Sequence, residues 1–374
     1  MTKAAELAKM GEVLTNSQIG GRRNIIINGA MQVAQRGTSS TGLGASDGYY
    51  TVDRFGLNFS STSARLTMTQ DSPTDLSGFT KALKLDCTTA DTSIGSAEYV
   101  QLHYRIEGQD LQQLKKGTSD AEKITVSFYV KGNASATYTC EIEDVDNNRY
   151  NSQEFSVTTS WTKVTLTYNA DTTGVLDNDN GQSMAINFWL HVGSNFTSGT
   201  HTDNVWHTTA TQRVGDNQTS FADSTDRTFF ITGIQMELGS QATPFEHRSF
   251  GEELALCQRY FTKESAASGA NYKSYAMGQA ATTTVARCSV FLPTPMRSTP
   301  SVVLSGNVNT FAGNSAGASD SCTAIAVSSD GDAGTHHVSV SLNVTVASGY
   351  VAGDAVELLS NDNTSTSFAL DAEL

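Results

Sequence analysis

Between Asn24 and His247, apolar residues recur at every second position in short bursts, and clusters of Gly, Asn, Asp and Ser separate the bursts. "SARLTMTQ", "KALKLDCTT", "SAEYVQLHYRIEG", "EKITVSFYVKG" and "SWTKVTLTYNAD" carry this alternation, which sets one face of a strand against a core and the other toward solvent. "NIIINGAMQVAQRG" reads as an apolar run, an Asn-Gly turn and a second short apolar stretch. "SMAINFWLHVGS" is the most apolar strand, and "RTFFITGIQMELG" closes the set. Roughly ten short strands over about 220 residues is the spacing of a sandwich, not of a βαβ repeat. Within the set, "GQDLQQLKKG" fits a helical turn or two carrying Leu111 and Leu114.

Two stretches change period. Over residues 4–15, Leu7, Met10 and Leu14 recur at coiled-coil-like intervals. Three apolar positions cannot hold a helix alone in water, so this stripe needs cover from its own chain or a partner. Gly20–Gly21 and Arg22–Arg23 end it as a flexible joint. The second stretch is "ITGIQMELGSQATPFEHRSFGEELALCQRYF". Pro244 stops the strand, and Ser249 with Glu252 forms a capping box. Leu254, Cys257 and Phe261 make one apolar row, and Leu256 and Tyr260 a second. A helix apolar on more than one face must be covered on several sides, which describes a connector or an oligomer contact. After it, "TTTVARCSVFLPTPM", "HHVSVSLNVTV" and "AVELLS" return to strand spacing. The expected architecture is all-β. Residues 1–23 form a short helix and linker, 24–247 a jelly-roll β-sandwich, 248–264 a connecting helix, and 265–374 a smaller second β domain.

Composition narrows the function. Of 374 residues, 17% are charged, with 31 Gly and 5 Pro, a mixture suited to strands and polar turns rather than long helices. A formal charge of −14 argues against a protein that tracks nucleic-acid phosphates. There is no apolar run long enough for a membrane span, and the N-terminus lacks the apolar core of a secretory signal. The five cysteines are widely spaced with no CxxC pair, which reads as buried small hydrophobes made in a reducing cytoplasm.

Trp206, in the polar stretch "GTHTDNVWHTT" beside His207, is the best placed of the three tryptophans for ligand contact. Trp189 sits in the most apolar strand and is expected in the core. His191, His201 and His207 lie close in sequence but at irregular spacing, the pattern of solvated loop histidines. His336–His337 would point to opposite faces of a strand. "EDVDNN" (Glu143 to Asn148) and "LDNDNG" (Leu176 to Gly181) offer oxygens to a hard cation, but lack the EF-hand spacing, and turn formation accounts for them. Glu98, Glu107, Asp110 and Glu237 are not paired by any pattern. No GxSxG elbow, Walker loop or HExxH helix occurs, so the expectation is no enzyme, no cofactor and no resident metal.

"NIIINGAMQVAQRG", "YYTVDRF", "LKKGTSDAEKITVSFYVKG", "NFWLHVGSNFTSGT" and the stretch around Pro244 resemble bacteriophage tail-fibre and related virion structural proteins of marine podovirus type, over residues 20–262. The sandwich of that group is similar to the jelly roll of carbohydrate-binding modules. The resemblance implies a homotrimer on the virion surface, made in the host cytoplasm. Residues 1–23 would attach it to other virion proteins, and residues 265–374 would face the host as a variable head. It also implies a core role for Trp161. The structural calcium that carbohydrate-binding jelly rolls often carry uses an acidic ligand on the last strand, and that aspartate has no counterpart at Thr232–Gly233. Three readings follow: a trimeric tail fibre that adheres to host glycans by avidity, a head fibre or capsid decoration with a purely structural role, and a glycan-degrading enzyme.

Overall fold

The structure, a computed structural model, describes residues 3–4, 23–266, 271–328 and 338–374. The proposed attachment residues Leu7, Met10 and Leu14, and the His336–His337 pair, lie outside the described residues. The chain divides into two compact units, Met1–Phe250 with Leu374, and Gly251–Glu373.

The described part of the first unit is built from twelve strands. They are β1 (Ser39–Leu43), β2 (Gly48–Tyr49), β3 (Phe55–Ser60), β4 (Arg65–Asp71), β5 (Ala82–Thr89) and β6 (Tyr99–Glu107). The rest are β7 (Ile124–Gly132), β8 (Ala136–Asp144), β9 (Arg149–Val157), β10 (Thr162–Tyr168), β11 (Gln182–Val192) and β12 (Thr228–Leu238). The first sheet runs β1-β4-β5-β12-β7-β10 and the second β2-β3-β6-β11-β8-β9. All pairings are antiparallel. Alternation decides what points inward: Val126, Phe128 and Val130 from β7 meet Met184, Ile186 and Phe188 from β11, all fully buried. The Phe128 ring stands edge-on to Phe155 and to Phe188, 5.1 Å from each, and Tyr138 does the same to Phe229 at 5.6 Å. Each such ring contributes about 2 kcal/mol through burial, and the edge-on pairs add to that.

In residues 24–36 the expected Asn-Gly turn forms, closed by Met31 N–H on the Asn28 carbonyl, but the apolar stretches beside it are not strands. Ile25, Ile26 and Ile27 are buried, yet the segment forms no strand. Asn28 adopts φ 61°, its side-chain amide donates to the carbonyls of Val33 and Asp53, and Val33 N–H donates back to its Oδ1. The segment packs on β12 through Ile25 N–H to the Met236 carbonyl. The two turns over Gly108–Asp110 and Gln112–Leu114 form as expected, with Leu111 and Leu114 buried.

The connecting helix is shorter than its apolar periodicity predicts. It spans Phe250–Gln258 (α1), so Phe261 is not on it. Phe261 instead opens β13 (Phe261–Ser265), paired with β21 (Ser367–Asp371). The Tyr260 amide closes the helix on the Cys257 carbonyl, and the Tyr260 carbonyl already accepts from Ala372. Sheet pairing thus captures the last expected turn. Cys257 is fully buried, Leu254 and Leu256 are only half-buried, and Glu253 takes an inward position. The remaining strands are β14 (Ser274–Ala280), β15 (Val285–Phe291), β16 (Ser301–Leu304), β17 (Phe311–Ser315), β18 (Ala318–Val327), β19 (Ser339–Val346) and β20 (Ala355–Ser360). Strands β14-β15-β19-β18-β17-β20 close a barrel, and β13-β21-β16 form a separate sheet. Cys288, Phe311, Leu342 and Leu358 fill the core of this unit. All five cysteines are buried. Burial pushes the Cys140 thiol up to about 12 and that of Cys288 to about 11.

Candidate functional site

The outer face of the first sheet carries a line of aromatic rings. Trp161, just before β10, is half-buried there and not in the core, a correction to its expected role. Its ring lies 6.1 Å from that of Phe230 on β12. Phe230 faces Lys131 of β7 on one side and Lys84 of β5 on the other. The two ammonium groups each sit 5.5 Å from its ring. Two residues along β7, Tyr129 shares this face and meets Phe79 at 5.2 Å, which in turn meets Phe245 at 5.1 Å. Asp75, in the β4–β5 connection, ties the upper end: it accepts the Trp161 indole N–H at 2.8 Å and the Lys131 ammonium at 2.5 Å. Those two hydrogen bonds lower the pKa of Asp75.

Gly233 explains how the rings fit. It sits at φ 63° within a register shift of β12, and a Cβ there would lie 2.7 Å from Phe79 and 3.0 Å from Tyr129. The glycine thus leaves room for two aromatic rings. Chemically, this face offers flat apolar surfaces flanked by two ammonium groups and a carboxylate. Rings of that kind stack on the C–H faces of sugars while charged side chains take their hydroxyls.

Trp206 and His207 lie in the long β11–β12 connection. The Trp206 indole donates to the Asn169 carbonyl at 2.7 Å, and its ring lies 5.1 Å from the Lys116 ammonium. His207 forms a two-way backbone bridge with Tyr150 on β9, and burial lowers its pKa. His207 thus ties the long β11–β12 connection to β9 of the second sheet, and Trp206 ties it to the β10–β11 connection. Beneath Trp206, Lys116 is 4% exposed and bonds Asp144, Asp171 at 3.0 Å, and the carbonyls of Thr173 and Gly174 at 2.9 and 3.1 Å. The ammonium thus takes the position that a hard cation would claim among the oxygens beside "EDVDNN". In "LDNDNG", Asp179 caps its own turn by accepting from Gly181 N–H at 2.8 Å.

The outer face of the second sheet is covered. Trp189 is 1% exposed, with Phe196 at 5.0 Å, Tyr99 at 5.7 Å and the Arg213 guanidinium 5.1 Å from its ring. Arg213 bonds both oxygens of Glu141 at 2.8 and 2.7 Å, reaches Glu143 at 3.1 Å, and stacks on Tyr150 at 4.0 Å. Burial, then the Glu141 charge, raises the Glu143 pKa. Sequence reading missed this clamp, because Arg213 lies in a polar loop with no strand signal. Glu237 is bound to Thr243 and Gln235, and Glu107 to Gln109. The three loop-like histidines are not solvated: His191 is a fully buried β11 residue, and His201 bonds Ser152 at 3.0 Å.

No family model and no curated protein matches the chain. Solved structures similar to it include a family 4 carbohydrate-binding module (12% identity, TM-score 0.30, 56% of this chain and 97% of that one). A family 11 module from Clostridium thermocellum, in complex with a mixed-linked tetrasaccharide, gives 12%, 0.29, 55% and 98%. The enzymatically active domain of bacteriophage CBA120 tailspike protein 4 gives 13%, 0.28, 57% and 21%. At these scores the likenesses carry no argument about function.

Proposed function

We propose that the protein is a non-catalytic glycan-binding component of a bacteriophage fibre. The observation that carries this reading is the open aromatic line of Trp161, Phe230 and Tyr129 on the first sheet, with Lys131, Lys84 and Asp75 alongside. A site of this kind binds weakly, because little of the ligand is enclosed. Firm capture then requires several copies, and a homotrimer anchored by its N-terminal segment supplies them. Exposed Met277 and Phe291, on the wall of the second unit's barrel, give neighbouring copies apolar surface to cover.

The test is a polysaccharide and glycan-array screen of the full chain, repeated with Trp161→Ala and Phe230→Ala. Retention by at least one glycan, lost in both variants at unchanged melting temperature, supports the reading. A native chain that binds nothing, or a Trp161→Ala variant that binds like the native chain, sinks it and leaves a structural head fibre or decoration. Sedimentation equilibrium tests the assembly: a monomer at micromolar concentration removes the trimer from the account.

A further inference from the structure

Three potential ligands converge from three parts of the chain. Asp91 follows β5, Glu98 immediately precedes β6, and His191 lies near the end of β11. The ligand atoms of the three lie within 4.8 Å of one another, and among the described residues no other group of His, Cys, Asp or Glu does this. A register shift between Trp189 and His191 re-aims the histidine. Its side chain is fully buried.

The hydrogen bonding around His191 is incomplete. Nδ1 lies 2.7 Å from Ser220 Oγ, but buried Nε2 has no hydrogen-bond partner and stands 3.8 Å from Glu98 Oε2. With the proton on Nδ1, donated to Ser220, the Nε2 lone pair faces two carboxylates. With the proton on Nε2, a buried donor goes unused. Either tautomer leaves an unmet group of a kind that folded proteins rarely keep. A cation between the three side chains resolves it. The carboxylates are already oriented, each from one side: Asp91 Oδ2 accepts from Thr62 Oγ1 at 2.9 Å and Ser63 N–H at 2.7 Å, and Glu98 Oε2 from Gly95 N–H at 2.8 Å. Asp91 Oδ1 receives only a 3.4 Å contact from Ser93.

We propose that Asp91, Glu98 and His191 bind one divalent transition-metal ion, with Zn²⁺ the best match to one imidazole nitrogen and two carboxylate oxygens. Calcium and magnesium prefer all-oxygen shells, so the histidine selects against them. Ser220 is the orienting partner that fixes which imidazole nitrogen faces the ion. A cleft of about 240 Å³ is lined in part by Val192, the residue after His191, and by Ser220, its hydrogen-bond partner. The ion ties the β5–β6 connection to β11, and through Ser220 to the long segment that covers the second sheet.

The experiment is calorimetric titration of Zn²⁺ into tag-free, chelator-treated full chain, with thermal melting in parallel. One ion per chain, a raised melting temperature, and affinity at least about tenfold weaker in Glu98→Gln are expected. Glu98 is partly accessible, so Glu98→Gln keeps the question open to measurement if His191→Ala fails to fold. Calcium or magnesium in excess should not displace the zinc. No saturable zinc binding, or equal binding by native and Glu98→Gln chains, overturns the proposal.

Discussion

The two sheets of the sandwich carry aromatic and charged side chains on their outer faces, and treat them in opposite ways. On the first sheet, Trp161, Phe230 and Tyr129 remain half-exposed, and Lys131 and Asp75 merely frame them. On the second, Trp189 is sealed by residues 193–227, with Arg213 threaded between its ring and two glutamates. The connections explain the difference. Four residues, 158–161, join β9 to β10, too few to fold back over a sheet, whereas the β11–β12 connection is long enough to lie across one. An aromatic residue on a strand becomes a platform or a plug according to the length of a distant loop.

The largest expected effect comes from breaking the covered face. Arg213→Met strands Glu141, whose side chain is fully buried, and Glu143. Leaving such charges unpaired costs about 3–5 kcal/mol. The urea midpoint should fall accordingly, while glycan retention by the folded fraction persists. A loss under about 1 kcal/mol would mean that the clamp does not hold this face.

Next is Lys116→Ser, which removes the ammonium from between Asp144 and Asp171 at a cost of about 3 kcal/mol. The vacated position is lined by two carboxylates and two carbonyls. Millimolar Ca²⁺ should therefore raise the melting temperature of the variant and leave the native chain unmoved. Equal responses would show that the lysine does not stand in for a cation.

The comparison is sharpened by two tryptophans. Trp206→Ala should cost about 2 kcal/mol, since it uncovers Lys116 and frees the Asn169 carbonyl, and should leave glycan retention intact. Trp161→Ala should cost about 1 kcal/mol and abolish retention. Exchange of these outcomes would reverse the assignment of platform and plug.

Part of this contrast was legible in the residues. Val164, Leu166 and Tyr168 alternate inward along β10, so parity alone puts Trp161 on the outer face with Lys163 and Thr165. The family resemblance suggested a core role instead, and the period was the better guide. Phe230 was harder. Phe229 and Ile231 point inward, but after Gly233 it is Ile234 and Met236 that do, because the bulge shifts the parity. Trp189 was read correctly as buried, although it lies on the outer face, and no alternation tells what will cover it. Phe261 moved from helix to strand because its partner, Asp371, is 110 positions away in sequence, beyond any local signal. The Asp91, Glu98 and His191 group has the same cause: three connections brought together by sheet pairing.

The smallest effect separates the two faces by pH. Glu143 has its pKa raised above 4.5, by burial first and the Glu141 charge second. Its folded form holds a proton more tightly than the unfolded chain does. The resulting stability is present below pH 4.5 and is lost as pH rises through the raised value. Asp75 has its pKa lowered below 3.8 by the hydrogen bonds from Lys131 and Trp161. Its contribution is present above pH 3.8 and is lost as pH falls through the lowered value. Melting temperature against pH should thus rise more favourably for Glu143→Gln than for the native chain above pH 4.5, and Asp75→Asn should flatten only the acid limb. Because Asp75 is exposed, its limb is the shallower of the two. If both substitutions altered the same limb, the covered and open faces would share one electrostatic environment, and the contrast between them would rest on packing alone.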